Sequence, residues 1–110
     1  MNVNRTQAEQ WATWFRALGD PTRILILNLL ATESKALTVG EIVDRVGVGQ
    51  STVSHHLAKL AASGFVFVER MGTSSLWEIN RRCLARFPTA AQLTFGRIPV
   101  DFVSALEAAE

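Results

Sequence analysis

The stretch from Thr38 to Gly64 leaves this chain the fewest choices. Thr38-Val39-Gly40-Glu41 has the spacing of a capping box, in which a hydroxyl and a carboxylate each take one free backbone N–H, so a helix is expected from about Val39. Ile42, Val43 and Val46 give that helix its apolar side. Gly47-Val48-Gly49 then interrupts it, because glycine enters the left-handed backbone of a sharp turn without steric cost. Helical periodicity returns at Gln50, and Gly64 supplies a stop. Two short helices across a tight turn are a helix-turn-helix.

At about 100° per residue, Val53, Leu57 and Leu60 fall on one stripe of the second helix and are expected to face a core. Ser51, His55, Ala58 and Ala62 lie opposite, with Thr52 and Lys59 on a flank. No carboxylate occurs between Asp44 and Glu69. A solvated amphipathic helix is the plain alternative, but such a face ordinarily interleaves Glu with Lys. Hydrogen-bond donors, small residues and an absence of negative charge are what a helix entering the DNA major groove requires.

Composition supports this only through placement. The 110 residues are 48% hydrophobic, enough for one core and short for two, so a single domain is expected. The net charge of +1 is small for a nucleic-acid binder, but it is unevenly distributed. Between Asp44 and Arg86, six cations (Arg45, Lys59, Arg70, Arg81, Arg82, Arg86) face three acids (Asp44, Glu69, Glu78); beyond Arg97 only Asp101, Glu107 and Glu110 are charged. No apolar run approaches a membrane span of ~18 residues. The polar N-terminus does not read as a signal peptide, so a soluble cytoplasmic protein without membrane contact is expected. The single cysteine, Cys83, cannot form an intrachain disulfide.

Thr6-Gln7-Ala8-Glu9 repeats the capping-box spacing, predicting a first helix from there to about Leu18 with an apolar stripe of Ala8, Trp11, Trp14, Phe15 and Leu18. Two indoles and a phenyl ring near a terminus imply a partner surface, most simply a second copy of the chain, unless both indoles are plain core. Asp20-Pro21 starts a helix reaching about Thr32. Ile24, Leu25, Ile26, Leu27, Leu29 and Leu30 make it apolar around most of its circumference, which places it in the middle of the fold. Leu37 is a candidate for a short extended segment. Residues 65–70 and 75–80 read as two strands around a Met71-Gly72-Thr73-Ser74 turn. A hairpin directly behind a recognition helix is a wing, and Arg70, Thr73 and Ser74 are its candidate DNA contacts; the plain alternative is a hairpin that only packs on the core. Asn80 is placed to cap a further helix. The segment from Pro99 to about Ala109, with Phe102, Val103 and Leu106 apolar, is too short to be stable alone and is expected to dock against the first helix, within one chain or across a dimer.

Ala17-Leu18-Gly19-Asp20-Pro21-Thr22-Arg23, then Gln50-Ser51-Thr52-Val53-Ser54-His55-His56-Leu57, then the hairpin, together resemble the ArsR/SmtB family of winged helix-turn-helix repressors, over about Trp11 to Asn80. The resemblance implies a mainly α fold with a small β-hairpin: helix-turn-helix at about 38–64, wing at about 65–80, C-terminal helical region at about 81–110. It also implies a homodimer formed through the N- and C-terminal helices, with Trp11, Trp14, Phe15, Phe102, Val103 and Leu106 at the interface. Such a dimer would repress transcription by binding double-stranded DNA at an inverted-repeat operator. By the resemblance Gln50, Ser51, Thr52 and His55 would face the groove; Ser54 is a further candidate DNA contact, and Lys59 on the flank is the candidate for the phosphates. A non-DNA-binding dimerisation or protein-interaction module on the same scaffold is the alternative.

The family's best-known metal site looks like Glu-Leu-Cys-Val-Cys-Asp-Leu; here the matching stretch is Ala36-Leu37-Thr38-Val39-Gly40-Glu41-Ile42, with both cysteine positions replaced. A second family site, of Asp, His and Glu on the last helix, lacks any histidine between Pro99 and Glu110. No metal or cofactor is therefore expected. His55 and His56 point about 100° apart and cannot chelate one ion; His56 reads as a packed histidine with one nitrogen satisfied. Cys83 reads as an apolar filler, with a thiol sensor as the lesser reading. No catalytic constellation or phosphate-binding glycine loop appears, so no enzyme activity is expected. Three switching modes stay open: an unidentified small-molecule effector in a cleft near the dimer helices, a thiol event at Cys83, or none.

Overall fold

A computed structural model describes residues 3–83, 85, 86 and 94–96. The first helix, α1 (Arg5–Ala17), starts two residues before the Thr6 box predicts. Asn4 and Gln7 form the cap instead: Asn4 Oδ1 accepts from the Gln7 N–H at 2.9 Å, and Gln7 Oε1 accepts from the Asn4 N–H at 3.1 Å. Glu9 is left to pair with Arg5 one turn earlier. Ala8 is exposed, contrary to the expected stripe; burial begins at Trp11 and ends at Ala17, with Trp14 and Leu18 packed against the core edge.

Helix α2 (Pro21–Thr32) follows at once, with Asp20 Oδ1 accepting from the Arg23 N–H at 3.1 Å. Its central position holds for one face only. Ile26, Leu27 and Leu30 are buried, whereas Ile24 and Leu25 remain 52% and 55% exposed. A two-residue strand, β1 (Leu37–Thr38), leads into α3 (Val39–Val46), where Thr38 and Glu41 make the predicted capping box. Gly47, at φ +82°, ends α3 in the left-handed conformation that the tight turn demands. Helix α4 (Gln50–Ala62) completes the helix-turn-helix.

The wing is β2 (Val66–Met71) and β3 (Ser74–Ile79), joined through Gly72 and Thr73. Gly72 takes φ +65° at the first central position, the geometry a tight two-residue hairpin requires. β1 adds to the other edge of β3, giving an antiparallel sheet of order β1-β3-β2 with Leu37 opposite Trp77 and Val68 opposite Trp77 on the far side. Asn80 ties this unit shut. Its backbone N–H donates to the Phe65 carbonyl and its side-chain amide to the Gly64 carbonyl, both at 2.8 Å, while its Oδ1 accepts from the Cys83 N–H at 3.3 Å. The exit of α4, the end of the wing and the start of the helical residues 81–83 thus meet on one side chain.

Phe65, Ile26, Leu37, Ile42, Leu57, Leu60 and Val53 form the fully buried centre, drawn from α2, β1, α3, α4 and the residue that leads into β2. Truncating a fully buried leucine removes its transfer free energy and leaves a cavity. Leu57→Ala is therefore expected to lower unfolding stability by about 2–5 kcal/mol, read from urea denaturation followed by circular dichroism. A loss below about 1 kcal/mol would mean that Leu57 does not sit in a close-packed core.

Candidate nucleic-acid interface

Val53, Leu57 and Leu60 are all at 0% exposure, which sets the rotation of α4 about its own axis. The opposite side is then forced outward: Gln50, Ser51, Thr52, Ser54, His55, Ala58, Lys59 and Ala62 are all exposed. The N-terminus of α4 differs from those before it. Asn4, Asp20 and Thr38 cap α1, α2 and α3 with side-chain acceptors, but Gly49 caps α4 with none. Its first-turn N–H groups are left without a side-chain acceptor, at the positive end of the helix dipole. A negatively charged oxygen is a suitable partner for such amides.

At the wing tip, Arg70, Thr73 and Ser74 are exposed. Register puts Phe67, Glu69 and Met71 on one face with Glu78, Leu76 and Ser74, and Arg70 on the other with Ser75. The local surplus of cations is smaller than the sequence total, because Arg45 Nη2 is held at 2.7 Å by Glu33 Oε1. Lys59 and Arg70 have no ion pair within 4.0 Å among the described residues.

Behind the exposed face, His56 packs its ring edge-on to His55 with centroids 5.7 Å apart. Its side chain is 12% exposed, as a packed histidine should be, but neither nitrogen is satisfied in the way expected. Nε2 stands 3.8 Å from Asp20 Oδ1, beyond hydrogen-bond range, and Nδ1 is buried without a partner among the described residues. The Asp20 oxygen nearest Nε2 is the one that caps α2. Thr38, at one replaced cysteine position, is likewise committed to a cap, and Gly40, at the other, is exposed. Cys83 is buried at 8% exposure, which pushes its thiol up against a weaker opposing pull from Arg86 and disfavours the thiolate that a sensor uses. Of the residues assigned to a dimer surface, Trp11 is 9% exposed in the single chain and has little area left for a partner. Trp14 and Phe15 are half-buried; Phe102, Val103 and Leu106 lie outside the described residues.

The family model for bacterial regulatory proteins of the arsR family matches residues 20–67, which span α2, β1 and the helix-turn-helix and reach the start of the first wing strand. A probable mercury resistance operon repressor of Streptomyces lividans is 33% identical over 104 residues, covering 86% of this chain and 82% of that protein. This chain belongs to the ArsR family. An uncharacterised helix-turn-helix transcriptional regulator of Methanocaldococcus jannaschii is 42% identical over 71 residues, covering 64% of this chain and 79% of its own. Among solved structures, the homodimeric winged helix-turn-helix DNA-binding domain of a possible ArsR-family regulator from Mycobacterium bovis superimposes with a TM-score of 0.67 at 25% identity, covering 90% and 93% of the two chains. NolR from Sinorhizobium fredii gives the same TM-score at 26% identity, covering 89% and 99%. The ArsR-family chain is thus a winged helix-turn-helix transcriptional regulator, and no described helix is long and apolar enough to cross a membrane.

Two capping carboxylates contribute to the response of the fold to acid. Asp20 lies below its usual range chiefly because it accepts the Arg23 backbone N–H, and Glu41 because it accepts the Thr38 backbone N–H. A carboxylate depressed in the folded state contributes stability that is present above its unfolded value and lost as pH falls through its folded value. The urea midpoint is therefore expected to drop as pH falls from about 5 toward about 2. The Asp20→Asn, Glu41→Gln double variant keeps neutral capping oxygens and should show a shallower drop; an unchanged acid profile would remove these caps from the titration.

Proposed function

We propose that this regulator is a dimeric repressor that acts in the cytoplasm on an inverted-repeat operator. Gln50, Ser51, Thr52, Ser54 and His55 read base edges in the major groove, Lys59 contacts phosphate, and Arg70, Thr73 and Ser74 engage the flanking backbone or minor groove. The observation that carries this reading is the wholly exposed, carboxylate-free face of α4 opposite three fully buried apolar residues. The uncapped amides at Gly49 support a phosphate contact at the helix start. Trp14, Phe15 and the C-terminal segment are the proposed dimer surface, and two-fold symmetry then sets the recognition helices about one helical turn, ~34 Å, apart. A protein-docking module on the same scaffold gains nothing from a carboxylate-free α4 face.

Selection of bound duplexes from a random pool should yield a palindrome. Against that duplex, His55→Ala is expected to cost about 1–3 kcal/mol and to relax preference at one position per half-site. Lys59→Ala should instead weaken selected and random duplexes alike, lowering the slope of log affinity against log salt by about one unit per half-site contact. Parent-like affinity and slope in both variants would show that this face does not meet DNA.

A further inference from the structure

On the flank of α4 behind the proposed DNA-reading face, the end of α1, the first turn of α2 and the end of α4 enclose a cleft of about 380 Å³. Three of its seven lining residues are cations, Arg16, Arg23 and Lys59, and none is an acid. No carboxylate lies within 4.0 Å of any of the three cationic groups among the described residues, although the charge of Arg23 is felt at Asp20. Glu9 holds Arg5, and Asp20 caps α2 beside His56. Among the described residues, Arg23 is positioned by Nη2 donating to the Arg16 carbonyl at 3.3 Å, and its Nε–H is buried without a partner.

The cleft's two hydroxyls are already spent as donors: Thr13 Oγ1 donates to the Glu9 carbonyl and Ser63 Oγ to the Lys59 carbonyl. Every side-chain donor still free there belongs to a cation. A ligand that satisfies such a wall must bring negatively charged oxygens, in the planar, multi-oxygen form that guanidinium groups pair with best. The space lies within the range of small-ligand sites and exceeds what a single phosphate fills.

We propose that this cleft is an oxyanion site, taking the phosphate or carboxylate groups of a small organic anion. Arg16 and Arg23 clamp the anion from the α1–α2 side, and Lys59 closes it from α4. Because Lys59 is also the proposed phosphate contact, an anion in the cleft draws that ammonium away from DNA and weakens the complex. The regulatory consequence rests on the DNA-binding reading; the anion binding does not.

The test titrates sodium pyrophosphate into the DNA-free, full-length protein at fixed ionic strength, followed by amide NMR shifts. Saturable shifts at Arg16, Ala17 and Ser63 are expected, with affinity falling at least tenfold in both Arg16→Gln and Lys59→Gln and unchanged in Arg45→Gln, whose cation is held by Glu33 outside the cleft. Both substituted cations are exposed, so folding is retained, and Arg23→Lys adds a variant that keeps charge but loses the planar fork. Equal weakening in all the glutamine variants would reduce the site to bulk charge, and no saturation together with parent-like duplex affinity and salt slope in Arg16→Gln would overturn it. A second arm assigns the source of the oxyanion. If pyrophosphate saturates the free protein and also lowers duplex affinity in the parent but not in Arg16→Gln, a free anion is the ligand. If pyrophosphate does not bind but Arg16→Gln lowers both duplex affinity and its salt slope, the cleft seats a DNA phosphate and the free-anion effector is overturned. Saturable pyrophosphate binding in a protein with no duplex affinity would sink the repressor reading and leave the site standing.

Discussion

The rotation of α4 about its axis governs everything else in this molecule. Val53, Leu57 and Leu60 are removed completely from water in one cluster with Ile26, Ile42 and Phe65. Each such burial is worth about 1.5–3 kcal/mol, so a turn of one residue about the axis would expose all three and bury polar side chains in their place. That cost is comparable to the whole stability of a small domain. The helix therefore presents one face to solvent and no other, and the chemistry of that face becomes a property of the fold.

Around this fixed helix the remaining elements act as clamps. Side-chain caps end the free N–H groups of α1, α2 and α3, whereas α4 begins on a glycine that supplies none. Asn80 then uses three hydrogen bonds to join the α4 exit, the wing and the next helical residues. The wing cannot move far from the recognition helix without breaking bonds at both its ends. A reading head and a flanking arm held in constant relation suit a target of regular geometry, which duplex DNA is.

Charge is arranged with equal economy on a chain whose net value is only +1. Arg45, Lys35 and Arg5 are paired with neighbouring acids, while among the described residues Lys59 beside the α4 face and Arg70 on the wing have no ion pair. The cleft of Arg16, Arg23 and Lys59 continues that positive charge onto the flank of the recognition helix. One ammonium shared between two anion-facing surfaces is a short physical route from a bound ligand to a change in DNA affinity.

Local signals determined much of this from the residues alone. The Thr38–Glu41 box, the Gly47 break, the α4 stripe and the Gly72 turn depend on neighbours within four positions, and each stands where the sequence places it. The first capping box was misplaced because Asn4–Gln7 and Thr6–Glu9 satisfy the same spacing rule, and pattern does not rank them. Only tertiary structure decided that Ile24 and Leu25 stay exposed on an apolar helix, that Trp11 is buried within one chain, and that Arg45 is cancelled by Glu33 twelve residues away. It alone brought Arg16, Arg23 and Lys59 to one cleft. Periodicity reports which way a side chain points from its own helix, but burial and pairing depend on what another element puts opposite it, and that information is spread across the whole chain.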